Sequence, residues 1–212
     1  MNMAKKHFYA IRCGRVPGIY ASWDEAKVQV ERFPGANYKG FATEAEAKAY
    51  MGENVAQETE GNDEAVCDVD LPADGNYAFV DGSYNPATKT YGYGGFLMHD
   101  GVEHILQGAG DDAENAEMRN VAGEIHGAMA AVQKAIELGI DRITLFYDYR
   151  GIAKWALDRW KANKPKTREY RDFMHAAMTC IHISFVHTPG HTGIPGNERA
   201  DGLAKEAVGL KK

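Results

Sequence analysis

Two largely apolar runs most constrain what this chain can fold into: ITLFY at residues 143–147 and IHISFV at residues 181–186. Runs of this kind are typical of central strands, since both faces of such a strand are covered. Between residues 121 and 138, four apolar side chains recur at helical spacing: Ile125, Met129, Val132 and Ile136. Gly139 is placed to end that helix. The sequence therefore predicts two central strands of one sheet and a helix that packs against that sheet.

The region before the long helix is typical of a meander. Residues 76–84, 91–98 and 102–108 have strand patterns separated by turn residues. Further strands are expected over residues 142–148 and 181–187, with two helices between them and a last helix after a loop. Three meandering strands followed by βα units predict an α/β unit with a mixed five-stranded sheet flanked by helices.

A separate small α+β unit is predicted for residues 5–51. HFYAIR, IYAS and NYKGFA read as three strands. Ser22 with Glu25 and Thr43 with Glu46 form capping-box patterns, which predict one helix over about residues 23–33 and a second to about Met51. Pro34-Gly35 is expected to stop the first helix.

The acidic residues of the chain are unevenly distributed. The formal net charge is −6, yet residues 52–76 hold eight acidic residues and no basic one, whereas residues 1–51 hold eight basic residues against five acidic ones. Residues 52–73 therefore read as an acidic flexible linker, with VCDVDL near its end as a candidate edge strand. The larger unit is then expected over residues 74–212.

Cysteine usage and hydropathy bear on the compartment. Cys13, Cys67 and Cys180 form no C-x-x-C pair, and such a sparse, odd set favours a reducing cytoplasm over a disulfide framework. The first residues, MNMAKKHFYAIRCG, lack the apolar stretch of a secretory signal. No apolar run approaches the ~20 residues that a membrane span needs, so no membrane association is expected.

Four carboxylates stand in separate contexts of the larger unit: Asp81 in FVDGSY, Glu124 in RNVAGEIHGAM, Asp148 in TLFYDYRG and Asp201 in GNERADGLAKEA. Each alone has a simpler explanation, as a turn residue, a solvated helix acid, a helix cap or a partner of a helix dipole. If they converge, their mutual repulsion calls for a divalent cation, and oxygen ligands suit magnesium or manganese.

The ordered set of motifs resembles the catalytic domain of ribonuclease H, type 1. That family has an Asp in a first-strand D-G-S, a Glu in the first long helix, an Asp at the fourth strand's end, then a His loop and a final Asp. Asp81, Glu124, Asp148, His191 in PGHTGIPGN and Asp201 occupy those places in order. Residues 5–51 resemble the small hybrid-binding domain at the N-terminus of many such enzymes.

The resemblance implies hydrolysis of the RNA strand of RNA–DNA hybrids, leaving 3′-hydroxyl and 5′-phosphate ends. Two Mg²⁺ ions, or Mn²⁺ in their place, are expected. Asp81 would be shared by both ions, Glu124 and Asp148 would complete the leaving-group side, and Asp201 the nucleophile side. His191 would act in proton transfer or product release. A cytoplasmic monomer with no obligate protein partner is expected.

Seven residues are implied in nucleic-acid contact: Gly82, Ser83, Asn85 and Asn120 near the acids, and Trp23, Tyr38 and Lys39 in the small unit. Two departures from the family pattern weaken the expected binding of nucleic acid. The residues before Glu124 read R-N-V-A-G-E, so a second amide is missing, and Lys39 is followed by Gly40 instead of a second lysine.

Two other functions remain open from the sequence. One is a non-catalytic RNA–DNA hybrid-binding protein with a ribonuclease H-like fold. The other is integrase-like strand transfer, against which the helical Glu124 and the His191 loop argue because such enzymes usually use three carboxylates.

Overall fold

The computed structural model describes residues 7–33, 36–52, 57–59, 71–190 and 193–210. These residues form two sheets, one of three strands near the N-terminus and one of six strands in the rest of the chain. Within the described ranges, no helix is both long enough and apolar enough to span a membrane.

The small N-terminal sheet has the order β2-β1-β3 and is antiparallel throughout. Its elements are β1 (Phe8–Cys13), β2 (Gly18–Tyr20), α1 (Trp23–Val30), β3 (Asn37–Phe41) and α2 (Glu44–Gly52). Ile11 of β1 packs against Ala26 and Val30 of α1 in a small apolar core. The three predicted strands and two predicted helices of this unit are confirmed.

Both capping predictions for this unit are confirmed by hydrogen bonds. The Glu25 amide donates to Ser22 Oγ over 3.3 Å. The Glu46 amide donates to Thr43 Oγ1 over 3.3 Å while the Thr43 amide donates to Glu46 Oε2 over 3.1 Å, which is the reciprocal capping box. Helix α1 ends three residues before the expected boundary, since Glu31 is extended at ψ 123°.

The larger sheet has the order β4-β9-β8-β5-β6-β7. Its strands are β4 (Gln57–Thr59), β5 (Tyr77–Asn85), β6 (Thr90–His99), β7 (Val102–Gly110), β8 (Arg142–Tyr147) and β9 (His182–His187). The helices are α3 (Ala113–Ala116), α4 (Asn120–Glu137), α5 (Gly151–Ala156), α6 (Pro165–Met178) and α7 (Pro195–Ala207). Strands β5, β6 and β7 form an antiparallel meander, and β8 and β9 run parallel to β5, as the pattern predicted.

Strand β8 lies in the middle of this sheet with both faces covered. Leu145 belongs to the core beneath α4, and Phe146 belongs to a second core that includes Ile194 and Ala200 next to and within α7. Successive side chains of a strand point to opposite faces, so a strand covered on both sides is apolar at consecutive positions. The prediction from ITLFY is therefore confirmed.

Strand β4 is a sixth strand that the sequence did not predict. It lies within the region expected to be a flexible linker, and Gln57, Glu58 and Thr59 pair in parallel with Ser184, Phe185 and Val186 of β9. Its sequence, QET, has no apolar alternation, and an unpaired strand edge offers backbone groups to any extended segment. The VCDVDL segment lies outside the described residues.

Candidate active site

Two glycines bring Asp81 and Glu124 together. A Cβ on Gly82 would lie 2.2 Å from the Asn120 carbonyl oxygen, and one on Gly123 would lie 2.0 Å from the Gly92 carbonyl oxygen. No larger residue fits at either point, so the start of α4 lies directly on β5. Asp81 precedes Gly82 and Glu124 follows Gly123, which places both carboxylates at this close contact.

Asp148 joins them through strand register. Phe79 of β5 is the partner of Phe146 in β8, so Asp81 and Asp148 each lie two residues beyond a paired position. Carboxylate oxygens of Asp81, Glu124 and Asp148 all lie within 4.8 Å of one another. The structure therefore brings together three of the four predicted carboxylates as one cluster that could hold a metal ion.

The cluster is electrostatically unfavourable without a cation. Glu124 is 1% exposed, and its Oε2 atom is buried without a hydrogen-bond partner. Burial, followed by repulsion from Asp148 and Asp81, raises the pKa of Glu124 well above its ordinary value. Burial and repulsion from Asp148 likewise raise the pKa of Asp81 to about 6, although the Gly82 amide donates to Asp81 Oδ1 over 2.7 Å.

These properties fit a hard divalent cation. An orphaned carboxylate oxygen needs a partner, and neighbouring oxygens from two further carboxylates supply the donor set that Mg²⁺ and Mn²⁺ prefer. Asp81, Glu124 and Asp148 would hold such an ion. This assignment depends on the unpartnered Glu124 Oε2 atom, because a bound cation would be its partner.

Asp201 lies beside the cluster on α7. It lines a cavity of about 150 Å³ together with Asp81, Asn120 and Asp148, but it does not belong to the group of oxygens within 4.8 Å. Lys205 Nζ, one helical turn later, donates to Asp201 Oδ2 over 2.7 Å. Asp201 thus faces the same cavity as the other three carboxylates, while the ammonium group of Lys205 balances its charge.

Two further residues of this cavity were missed from the sequence: Asn197 and Glu198. Asn197 is 4% exposed and accepts a 3.4 Å hydrogen bond from Thr188 Oγ1. Both residues lie one turn before Asp201, at i−4 and i−3, and therefore on the same side of the helix. Their spacing from Asp201 is the sequence feature that could have identified both residues.

The residue at the start of the loop before α7 also borders the site. Gly190 lines the cavity, and a Cβ there would lie 3.0 Å from Asp148 Oδ2. Below it, the Thr188 amide donates to the Tyr147 carbonyl over 2.8 Å, which holds the ends of β8 and β9 together. His191 lies outside the described residues, so its predicted role stays a prediction.

The four residues expected to contact nucleic acid near the acids have different surroundings. Gly82 and Asn120 line the cavity, and Asn120 is exposed. Ser83 is 9% exposed. The Asn85 side chain is buried and donates from Nδ2 to the Val208 carbonyl over 2.9 Å, which ties the end of β5 to the end of α7. Their contact with nucleic acid stays a prediction.

The segment that leads into Asn120 is anchored by a polar network. Tyr91 Oη donates to Asp112 Oδ2 over 2.6 Å, and the buried Asn115 donates from Nδ2 to Tyr91 Oη over 3.2 Å. These hydrogen bonds lower the pKa of Asp112 to about 2, whereas burial and Asp112 raise the pKa of Tyr91 to about 12. Arg119, between this network and Asn120, adopts a positive φ of 53°, a conformation that costs a non-glycine residue energy.

In the small unit, Trp23 and Tyr38 lie together on one exposed surface. Their ring centroids are 5.5 Å apart, and Tyr9 continues the row at 5.3 Å from Trp23. Trp23 is 38% exposed and Tyr38 is 44% exposed. Lys39 projects to the other face of β3, with Nζ 5.6 Å from the Phe41 ring centroid. The structure therefore brings together two of the three residues predicted to bind nucleic acid here.

Family models match both parts of the chain. A model described as the ribonuclease H1 N-terminal domain matches residues 7–51, and a model described as RNase H matches residues 74–209. Among curated proteins, ribonuclease H1 of Homo sapiens is 31% identical, with 95% of this chain and 89% of that protein covered. Ribonuclease H1 of Mus musculus is 27% identical over the same shares of the two chains.

Solved structures resemble the larger unit. The crystal structure of RNase H1 from Halobacterium salinarum has a TM-score of 0.50 at 27% identity, covering 63% of this chain and 97% of that chain. A second ribonuclease H1, crystallised in complex with an RNA/DNA hybrid, has a TM-score of 0.51 at 20% identity, covering 63% of this chain and 96% of that chain. The second likeness supports the fold.

Proposed function

The chain belongs to the ribonuclease H1 family, and from that premise we propose that it hydrolyses the RNA strand of RNA–DNA hybrids with two divalent metal ions. The products would carry 3′-hydroxyl and 5′-phosphate ends. The enzyme class, a ribonuclease H hydrolase, follows from the family. The number and identity of the ions and the chemistry of the ends belong to the proposal.

The observation that carries the proposal is the buried carboxylate cluster with its unsatisfied Glu124 oxygen. A structural carboxylate at 1% exposure would be hydrogen-bonded or neutralised, whereas a metal-binding carboxylate has the ion as its partner. Bound divalent ions would supply an activated water and stabilisation of the charge that develops on phosphate oxygens.

Each side chain has a defined part in this proposal. Asp81 interacts with Glu124 and Asp148 and also feels the charge of Asp201, and it would serve both ions. Glu124 and Asp148 would hold the leaving-group side, and Asp201 the nucleophile side. Asn120 is exposed and lines the cavity, and its amide would donate to a base or sugar edge in the minor groove. We assign His191 to proton transfer or product release.

The domain division supports hybrid as the substrate. We propose that residues 5–51 bind hybrid, that residues 52–73 connect the units and that residues 74–212 cleave. The exposed Trp23–Tyr38 pair offers rings on which sugars or bases can stack. The curated relative from Homo sapiens is named ribonuclease H1, and one structural relative was crystallised with a hybrid. A cytoplasmic monomer completes the proposal, and gel filtration tests the monomer.

A cleavage assay with labelled hybrid, duplex DNA and duplex RNA in Mg²⁺ tests this function. The wild-type protein is expected to cut the RNA strand of hybrid alone. Asp81→Asn and Asp148→Asn should each lower the rate at least about 100-fold, because loss of even an outer partner of a metal ligand costs up to that much. Asp100→Asn, at an exposed turn, is the matched control and should retain full activity. Preferential cutting of duplex DNA would disprove the specificity.

The same assay decides between this function and the alternatives. A non-catalytic hybrid-binding protein would bind hybrid without any metal-dependent cleavage, in wild type and variants alike. Strand transfer would produce joined products longer than the labelled substrate. End-group analysis of the RNA fragments by phosphatase sensitivity tests the 5′-phosphate assignment separately.

A further inference from the structure

Two cysteines from the two units meet at a contact remote from the carboxylates. Cys13 ends β1 of the small unit, and Cys180 lies between α6 and β9 of the larger one. Cys180 Sγ donates to the Arg12 carbonyl over 3.3 Å, so it lies against the residue that precedes Cys13. Both cysteines are free.

Polar contacts on either side align the two units at this point. Thr179 Oγ1 donates to the same Arg12 carbonyl over 3.1 Å. Asn37 Nδ2 donates to Asp141 Oδ1 over 3.0 Å. These hydrogen bonds join β1 and β3 of the small unit to two positions of the larger unit, the residue that follows α6 and the residue that precedes β8. The cysteines therefore lie within a specific contact and not at its margin.

The two thiols differ in environment. Cys13 is 2% exposed, whereas Cys180 is partly exposed. A hydrogen bond between the thiols raises the pKa of Cys13, and the same bond, supported by Thr179, lowers the pKa of Cys180. Cys180 is accordingly the thiol of the pair that loses its proton more readily, and the thiolate is the form that reacts with oxidants.

Small molecules can reach Cys180 from a cavity between the units. The cavity has a volume of about 460 Å³, and Cys180 lines it together with Arg12, Tyr38, Asp141 and Arg142. A hydroperoxide is far smaller than this space.

We propose that Cys13 and Cys180 are an oxidation site at which a hydroperoxide forms a disulfide that cross-links the small unit to the catalytic unit. The Cys180 thiolate attacks a peroxide oxygen, the O–O bond breaks, and hydroxide leaves, giving a sulfenic acid. Cys13 then gives up its proton and attacks that sulfur, and water leaves. In sum, two thiols and one hydrogen peroxide give one disulfide and two waters.

The cross-link would hold the aromatic pair away from the catalytic carboxylates. Ile136, Gly139 and Ile140 also line the cavity, which places the contact at the C-terminal end of α4, whereas Glu124 lies in its second turn. The twelve residues from Glu124 to Ile136 span roughly 18 Å of helix. If the small unit binds hybrid as proposed, the disulfide restricts where that bound hybrid can be presented to the active site.

Peptide mapping tests the site without reference to nuclease activity. The full-length protein is treated with a small molar excess of hydrogen peroxide, capped with N-ethylmaleimide and digested without reductant. A Cys13–Cys180 disulfide peptide that disappears on dithiothreitol treatment is expected, with Cys67 alkylated. Alkylated Cys13 and Cys180, or a disulfide that includes Cys67, would overturn the proposal.

Two variants serve as controls. Cys67→Ser should form the same cross-link at the same rate. Cys13→Ala, which fills most of the same buried space, should stop the reaction at a dimedone-reactive sulfenic acid on Cys180. A Cys13→Ala protein whose thermal unfolding matches wild type, yet which shows no Cys180 sulfenic acid, would contradict the assignment of Cys180 as the attacking thiolate.

The consequence for function is measured on the same samples. Hybrid affinity and cleavage are compared before oxidation, after it and after reduction, and oxidation is expected to weaken apparent affinity about tenfold, because effective concentration depends on geometry. Unchanged affinity and cleavage in fully cross-linked protein would refute the restriction. Absence of cleavage in the reduced protein would refute the proposed function instead, while the peptide map still decides the site.

Discussion

At the scale of single residues, the active site is a set of charges that the fold forces together at a cost. Glu124 is almost fully buried beside two other carboxylates, and one of its oxygens has no partner. The pKa of a carboxylate held in this way is raised, so the group becomes protonated or binds a cation. The protein without metal is therefore expected to carry a pH-dependent destabilisation that the metal removes.

The first prediction concerns this pH dependence. Asp81 has a pKa of about 6 when folded, against an ordinary value of 3.8, so the folded protein binds the proton more tightly than the unfolded chain. The free energy of unfolding should then fall as the pH rises through this interval. In EDTA we expect a loss of about 1–2 kcal/mol between pH 5 and pH 7.5, measured by urea unfolding.

Asp81→Asn is the control for that experiment. It should reduce the pH dependence, because one titrating carboxylate is gone and Glu124 loses a repulsive neighbour, and the variant should unfold at higher urea than wild type at pH 7.5 in EDTA. Mg²⁺ at pH 7.5 should restore stability to wild type far more than to the variant. If the free energy of unfolding changed with pH to the same extent in both proteins, the assignment of this titration to Asp81 would be wrong.

A second residue-scale prediction concerns Lys205. Its ammonium group lies 2.7 Å from Asp201 Oδ2 and also feels the charge of Asp81, and both raise the pKa of Lys205. A positive charge at this point opposes a cation that uses Asp201. Lys205→Gln should therefore bind Mn²⁺ about two- to fivefold more tightly, the range expected for one partly exposed charge pair.

Calorimetric titration measures that affinity directly. Lys134→Gln is the matched control, since Lys134 pairs with Glu137 at the far end of α4, and its Mn²⁺ affinity should equal that of wild type. Equal or weaker Mn²⁺ binding in Lys205→Gln would show that the lysine does not compete with the ion.

At the scale of elements, the site depends on how closely a helix approaches a sheet. Gly82 and Gly123 allow α4 to lie on β5, and Gly94 allows α7 to lie on β6, since a Cβ there would lie 2.0 Å from the Ala204 amide nitrogen. Both helices carry an acidic residue of the proposed active site. The glycines therefore set the separation of Glu124 and Asp201 from Asp81 more directly than any apolar contact does.

The third prediction compares two glycines of α4. Gly123→Ala would place a Cβ 2.0 Å from the Gly92 carbonyl oxygen and should lower the free energy of unfolding by about 2–3 kcal/mol. Gly127→Ala, one turn later, meets its nearest atoms at 3.3 Å and should change stability by no more than about 1 kcal/mol. Thermal unfolding of the two variants tests this, and equal melting temperatures would refute it.

Some elements could be predicted from the sequence because one local rule decides each of them. Helical spacing predicted α4, an apolar run predicted β8, and capping boxes predicted where α1 and α2 begin. Other features could not be predicted in this way. Strand β4 depends on a free edge of β9, the meeting of Cys13 and Cys180 depends on how two units lie together, and the Lys205–Asp201 pair matters only because a cavity faces it.

At the scale of the whole molecule, the exposed aromatic surface and the carboxylate cluster lie on separate units. The charge of the chain is also uneven, with a mildly basic N-terminal segment and a strongly acidic segment after it. Basic residues attract the phosphate backbone, and an acidic connector is repelled by it. Binding and cleavage are therefore expected to respond differently to mutation.

The fourth prediction uses that separation. Trp23→Ala and Tyr38→Ala should each weaken hybrid binding about tenfold, since a stacked base contributes about 1–3 kcal/mol, while cleavage at saturating hybrid stays near the wild-type rate. Val28→Ala, at an exposed position of α1, is the control. Fluorescence anisotropy in Ca²⁺ and steady-state kinetics in Mg²⁺ separate the two effects, and a loss confined to the saturating rate would contradict this view.

Strand β4 would limit how far the small unit could move if its hydrogen bonds to the larger unit opened. While Gln57 is paired on β9, the five residue steps from Gly52 reach at most about 17 Å. If β4 detaches, the nineteen steps from Gly52 to Leu71 reach at most about 65 Å. With the three residues of β4 paired, the connection keeps the aromatic surface near one edge of the sheet. With β4 detached, the volume within reach of the small unit is roughly fifty times larger.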